Sequence, residues 1–402
     1  MAETQTLKAP SPTWNLWPAL PLAPYSYRKT IMQEALPNTI WTFDQLLGTL
    51  YVHVPIRMTV VRMQTGGLFV YAPVAPTEEC LALLKPIIDR HGPIRSIVLP
   101  SAAPEHKTLA GPFARNFPEA DFWVTSEQYA FPLNLPSRWL GFPGKVKILP
   151  ATSNNEIWGG EFEHAVLTAK ASKESVYQEA AFFHSPSKTL LLCDAALSIS
   201  AEPPKILTSV SSYRRALLFH ARDGPEERVD DTPEVWRKGW QRVALFGNFF
   251  MPGSLRMLDA SVWLSAARRT PMPELGWAGI FPFTWTRDTP SAFQRLSNNG
   301  APFVAPIIQI ILSRAPEASA AWLDRVTQWS FERVIPAHFD APLAIGPTEL
   351  RKAFAFLDES KNTVRFCDED VAFLRDSLEG LPPDLALLPT TFGPLRGDKC
   401  DL

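Results

Sequence analysis

The chain has 402 residues and a formal net charge of -2, from 39 Lys and Arg against 41 Asp and Glu. That balance, without any Lys/Arg run, leaves no electrostatic footprint for nucleic acid, and no nucleic-acid partner is expected. A hydrophobic share of 46% lets a chain of this length bury a large core, as several domains or as one domain with insertions.

The four cysteines, Cys80, Cys193, Cys367 and Cys400, are widely spaced and form no CxxC pair. This argues against a zinc knuckle and against a secreted disulfide framework, and for a reducing intracellular compartment such as the cytoplasm. The opening MAETQTLKAPSPTWNLWPALPL lacks the charged start and unbroken apolar stretch of a signal peptide. The most apolar later run, Phe303 to Leu312, contains Pro306 and is too short to cross a bilayer. The 13 Trp and 25 Phe point to thick core packing, and only a weak amphipathic signal supports association with a membrane surface.

Residues 1–38, rich in Pro, Trp and Tyr, read as an extended aromatic arm. From Thr39 to Phe366 the pattern is that of one domain. IWTFDQL, LYVHVPI, MTVVRM and GLFVYAPV are short β-rich runs, with a tight connection at Gly66-Gly67. Pro76-Thr77 introduces a helix through EECLALLKPIIDRHG that Pro86 should kink and His91-Gly92-Pro93 should stop. IRSIVLP is a continuous apolar run suited to a strand covered on both faces. A helix through Phe113 and Phe117 follows, then strands at DFWVT, KVKILP and EFEHAVLTA. VYQEAAFFH and KTLLLCD read as a hairpin turning at Ser185-Pro186-Ser187. The stretch from about 198 to 330 reads as a mostly helical insertion anchored by Trp236, Trp240, Phe246, Phe249 and Phe250. RVIPAHFDAP restores a buried strand, and a helix after Gly346-Pro347 puts Leu350, Phe354 and Leu357 on one face. Residues 367–402 form a tail.

Three apolar strands end in loops that carry metal-ligating residue types: SIVLP before Glu105-His106, TLLLC before Asp194 and ERVIP before His338. Strands of one sheet can bring such ends to a common edge, where two imidazoles and two carboxylates make a ligand set for zinc, iron or manganese. His184, beside the hairpin turn, and Asp340, two residues after His338, are candidates for a supporting or pocket role. His184 also fits a half-exposed strand histidine, and Asp340 a loop aspartate capping a turn. His220 and Asp223 lie in the insertion with no convergent strand and are taken as structural. Cys193 is taken as a buried core thiol. No GxSxG elbow and no GxGxxG or Walker-type loop occurs.

The order of strand, loop, helix, hairpin and late strand resembles the metallo-β-lactamase-like hydrolases, which implies an α+β αββα sandwich. In that family the first site loop reads H-x-H-x-D-H. Here Ser101-Ala102-Ala103-Pro104-Glu105-His106 puts Ser101 and Ala103 at the first two histidines and Glu105 at the aspartate, and keeps His106. The resemblance places the family's metal-bridging aspartate at Asp194 and its last histidine at His338. The third histidine is missing where Ser172, Lys173, Glu174 and Ser175 stand. The losses fall on one metal's ligands, so the resemblance implies a depleted, at most mononuclear site. Longer segments, among them WTFDQLLGTLYVHVPIRMTVVRM, FPLNLPSRWLGF and VIPAHFDAPLAIGP, are similar to the uncharacterised family called domain of unknown function 4336. That resemblance covers most of Trp41 to Leu357 and supplies no reaction. Its relatives in photosynthetic lineages bring the plastid in as an alternative compartment, although residues 1–38 are neither Arg-rich nor acid-free.

Two functional readings follow. One is a hydrolase or oxidoreductase dependent on a single divalent metal held by Glu105, His106, Asp194 and His338. The other is a non-catalytic module that keeps the fold to bind an unknown small molecule or protein partner.

Overall fold

A computed structural model describes residues 9–14, 27–49, 51–128, 141–153, 158–170, 176–276, 279–286, 289–358, 366–379 and 399. Strands β1 (Ile31–Leu36), β2 (Ile40–Thr49), β3 (Val52–Arg62) and β4 (Leu68–Tyr71) form an antiparallel meander. The β3–β4 turn uses Gly66 and Gly67 at φ +93° and +86°, a region that glycine enters without steric cost. Helix α1 (Glu78–His91) starts where the Thr77 hydroxyl accepts from the Cys80 amide, and it runs through Pro86. Strand β5 (Ile94–Leu99), helix α2 (Pro104–Ala114), β6 (Asp121–Val124) and β7 (Val146–Ile148) follow, the strands joining in parallel. The result is a seven-stranded sheet in the order β1-β2-β3-β4-β5-β6-β7.

A second sheet holds β8 (Thr152–Ser153), β9 (Phe162–Lys170), β10 (Val176–His184) and β11 (Thr189–Leu192). The hairpin register Phe182↔Leu191 turns through Ser185–Ser187, as the sequence predicts. The chain then leaves the sheet through α3 (Lys205–Thr208), α4 (Ser211–Ala221), α5 (Pro233–Phe249), β12 (Leu255–Met257), α6 (Ala260–Ala267), β13 (Phe283–Trp285), α7 (Thr289–Ser297), α8 (Pro306–Leu312) and α9 (Pro316–Val326). It returns as β14 (Arg333–Pro336), parallel to β11, for the order β14-β11-β10-β9-β8. Helices α10 (Pro347–Ala353) and α11 (Asp368–Glu379) follow.

The layering is read from which side chains share a core. Val61, Phe69, Tyr71 and Val98 of the first sheet pack with Phe182, Leu191, Cys193 and Ile335 of the second. The opposite face of the first sheet, at Met58, Val60 and Ile97, packs on Leu84 of α1 and on Leu109 and Phe113 of α2. The opposite face of the second, at Phe183, Leu190 and Leu192, packs on Trp322 and Leu323 of α9 and on Leu350 of α10. The architecture is therefore the expected α+β sandwich of two sheets between helical layers. A separate core around Trp240, Leu245, Phe249 and Phe283 fills the insertion.

Several local expectations differ. Strand β1 lies inside the segment read as an arm. The insertion contains the strand pair β12–β13, whose three-residue runs are too short for an alternating pattern to register. Phe250, read as an anchor, is 45% exposed, unlike Trp240 and Phe249. Helix α10 ends at Ala353, so Leu350 and Phe354 share the core while Leu357 follows in a separate turn. Cys80 and Cys193 are free and buried, whereas Cys367 is disulfide-bonded, a pairing that the spacing did not suggest. Among the described residues no helix is long and apolar enough to cross a membrane.

Arg57, on β3, is buried between the sheets. Its guanidinium pairs with Asp44 at 2.7 Å and donates to the carbonyls of Pro336 and Phe339, each at 2.9 Å. Its backbone amide donates to Ala337 O at 2.7 Å. Removing one partner of a buried pair leaves the other charge uncompensated. Arg57→Met should therefore cost roughly 3–5 kcal/mol, and Arg57→Met with Asp44→Leu should recover much of it. Urea unfolding of the three proteins checks this; equal destabilisation in the single and double variants would refute the pairing.

Candidate metal centre

The parallel register Leu192↔Pro336 makes β11 and β14 end side by side. Asp194 and His338 each lie two residues beyond that pair, so the sheet itself brings them to one edge. Glu105 and His106 reach the same place from the first turn of α2, which opens with Pro104 at its first helical position directly after β5 and its loop. One ligand atom from each of Glu105, His106, Asp194 and His338 lies within 4.8 Å of all the others. The four residues singled out in the sequence thus converge.

The imidazoles face each other. His338 Nδ1 is 2.8 Å from the Pro55 carbonyl, which can only accept, so Nδ1 carries a proton and Nε2 points into the cluster. That Nε2 is 3.1 Å from His106 Nε2 and 3.2 Å from Asp194 Oδ1. A tetrahedral ion with bonds of about 2.0–2.1 Å has donor–donor edges of about 3.3 Å. With two such edges at His338 Nε2, and all four donor atoms within 4.8 Å of one another, the set fits a single divalent ion.

Electrostatics at the centre point the same way. Burial, then the Asp194 charge, pushes the Glu105 carboxyl above its usual range. Burial and the neighbouring His338 depress His106 to about 3, so its ring is neutral at physiological pH. Burial disfavours the Asp194 carboxylate, but the hydrogen bond and charge of His338 outweigh it and hold its carboxyl low. Burial likewise works against a charged His338, and Asp194 overrides it and raises that ring. Two carboxylates packed against each other in a buried site are costly unless a cation lies between them.

Glu179, not singled out from the sequence, completes the support. It is fully buried on β10 and accepts the backbone amides of Cys193 at 2.8 Å and Asp194 at 2.9 Å. The Tyr177 hydroxyl donates to it at 2.7 Å. Burial and the Asp194 charge push the Glu179 carboxyl up to about 7. The available signal was a carboxylate within the apolar run YQEAAFF, a position where burial without partners is unfavourable.

Ser101, which the sequence resemblance placed at a lost histidine position, uses its hydroxyl to accept the Ala103 amide at 3.1 Å. Ala103 offers no donor side chain. Ser172, Lys173, Glu174 and Ser175 lie outside the described residues. His184 sits at the far end of β10, buried rather than half-exposed, between Ser187 Oγ at 2.7 Å and Glu161 at 3.6 Å. Asp340 accepts from Ser200 Oγ at 2.9 Å, while its amide donates to Ser198 O at 3.0 Å. Neither belongs to the cluster of four. His220 is buried against Phe283, and Asp223 pairs with Arg242 and Lys238, both inside the insertion. Above Glu105, Asp194 and His338 opens a cavity of about 580 Å³, walled by β3 and by α5 and α8 of the insertion. The insertion therefore roofs the site edge without filling it.

No curated protein matches the chain. Among solved structures, the DIM-1 metallo-β-lactamase is 13% identical at a TM-score of 0.40, over 83% of this chain and 99% of that one. A flavoprotein from Thermotoga maritima is 10% identical at a TM-score of 0.40, over 84% and 64%. A Flv1 flavodiiron core from Synechocystis sp. PCC6803 is 9% identical at a TM-score of 0.41, over 83% and 62%. The family model described as a domain of unknown function, DUF4336, matches residues 37–356, and the chain belongs to that family.

Proposed function

We propose that this protein binds one divalent metal ion, zinc, iron or manganese, through His106, Asp194 and His338 with Glu105 as the fourth donor, and uses it as a hydrolase. The observation that supports this reading is the convergence of four donor atoms within 4.8 Å from three separate strand ends, the two histidines buried and the two carboxylates half-buried. When bound, such an ion supplies Lewis acidity and brings the pKa of a coordinated water towards about 7. The chain's own residues do the rest. Pro55 fixes the His338 ring through Nδ1, and Glu179 fixes the Asp194 backbone through two amides. The largely apolar walls lower the polarity around the donors, which strengthens the charge interactions there. Glu105, His106, Asp194 and His338 would hold a single ion, which would have to supply both water activation and substrate binding.

The second reading, a binding module without catalysis, is favoured by one observation: Ser101 and Ala103 stand where a second ion would need donors, and Ser101 is already committed to the Ala103 amide. Both readings use the same cavity, and they part on the metal.

Protein purified without chelator should carry about one ion per chain, and His338→Ala or Asp194→Ala less than about a tenth of that, by elemental analysis. A metal-free wild type that also takes up no added zinc, iron(II) or manganese would remove the reading. Added metal should raise the melting temperature of stripped wild type by several degrees, as binding at ~100 Kd contributes about 2.7 kcal/mol, and leave His338→Ala unmoved.

Glutamine at position 179 keeps one carbonyl oxygen where two amides need acceptors. Glu179→Gln should cost about 1–3 kcal/mol of stability and weaken metal affinity roughly 10–100-fold. Chelator competition on the folded variant checks the second figure. Unchanged affinity would mean that Glu179 supports the sheet and not the ligand.

A further inference from the structure

The walls of the cavity are not explained by the donors beneath them. Its volume of about 580 Å³ falls inside the roughly 300–1,000 Å³ of small-molecule sites. Val52 and Val54 of β3 close one side, and Phe246, Phe250, Ile307 and Ile308 come from the insertion. The polar groups gather at the end formed by Glu105, Tyr177, Asp194 and His338. Among the described residues no lysine or arginine lines the cavity, so away from the metal end its walls offer a charged group no counter-charge. Phe250 lines the cavity and yet is 45% exposed, which leaves an aromatic ring open to whatever enters.

Helix α5 carries two glycines, and they differ. A Cβ at Gly239 would meet the Leu217 carbonyl oxygen at 2.0 Å, so the close approach of α4 requires glycine there. A Cβ at Gly247 would meet only Val52 Cγ1 at 3.5 Å and Val54 Cγ1 at 3.8 Å, ordinary contacts. Neither the helical backbone nor a neighbour demands glycine at 247. Glycine inside a helix nonetheless costs about 1 kcal/mol relative to alanine. What Gly247 preserves is empty space, since it too lines the cavity.

We propose that the cavity binds an uncharged, largely apolar small molecule, and that Gly247 keeps open the space its apolar part fills. The claim rests on the metal reading only at the polar end, where the ligand's polar atom meets the His338 side. The apolar part stands on the walls alone.

Full-length protein is titrated with N-phenyl-1-naphthylamine, a neutral apolar fluorophore, and with 1-anilinonaphthalene-8-sulfonate, its anionic counterpart. The neutral probe should bind saturably at one site, at least about tenfold more tightly than the sulfonate. Gly247→Ala should melt no lower than wild type. Gly247→Leu should weaken the neutral probe by about tenfold or more while its metal content is unchanged. Should Gly247→Leu melt low, Ile307→Gln on the α8 wall should give the same loss. Binding that persists in chelated protein and in His338→Ala supports the pocket even where metal analysis has removed the metal reading. Equal affinity for the two probes would overturn the inference. So would wild-type binding of the neutral probe by a Gly247→Leu protein that melts normally.

Discussion

The guanidinium of Arg57 holds the His338 loop against the first sheet, and the candidate centre depends on that contact. Its fork reaches the carbonyls on either side of His338, those of Pro336 and Phe339, while Asp44 neutralises the charge. Arginine suits this place because its donors are fixed in a plane and its charge cannot be lost. The loop needs such a hold. Phe339 adopts a φ of +55°, a region that costs a non-glycine residue about 1–2 kcal/mol, and the backbone amide of Arg57 adds a bond to Ala337 O. With both flanking carbonyls engaged and Nδ1 on Pro55, the His338 ring has one direction in which to face.

Asp194 is held by the opposite device. Where a buried cation grips carbonyls around the histidine, a buried carboxyl group, that of Glu179, accepts amides at the aspartate. The two residues that touch across the centre are therefore anchored on different sheets, His338 through β3 and Asp194 through β10. Geometry at the centre reports how the sheets sit on one another. Packing of Phe69, Phe162 and Phe182 between them, with ring centroids 4.3 and 5.2 Å from Phe69, fixes that distance with large, rigid side chains.

Much of this was legible in the sequence for a simple reason: apolar runs such as SIVLP, TLLLC and ERVIP are strands buried on both faces, and such strands end where polar loops begin. Glu105, His106, Asp194 and His338 were found by that rule and by resemblance together. What was hidden lies mid-strand. Arg57 and Glu179 look like ordinary polar alternates in β3 and β10, and only the second sheet, far away in sequence, shows that both face inward. His184 carried the same ambiguity and resolved towards Glu161 and Ser187 because its strand runs away from the centre. Strands β12 and β13 are three residues each, too brief for periodicity, and are defined by each other. Gly247 could not be read as meaningful until Val52 and Val54 were known to stand opposite it.

Strand β14 closes the second sheet on β11, and the paired residues Thr189 and Arg333 are 144 positions apart. During synthesis the edge of β11 stays open until the whole insertion has been made. TLLL, entirely buried in the finished protein, then presents unpaired backbone groups and bare aliphatic side chains, the combination that invites pairing with another chain. The entropy of closing so long a loop is offset only when β14 docks. The aggregation hazard of this fold is thus concentrated in one hairpin and one interval of chain growth. The nascent protein is at its most vulnerable before RVIP has left the ribosome.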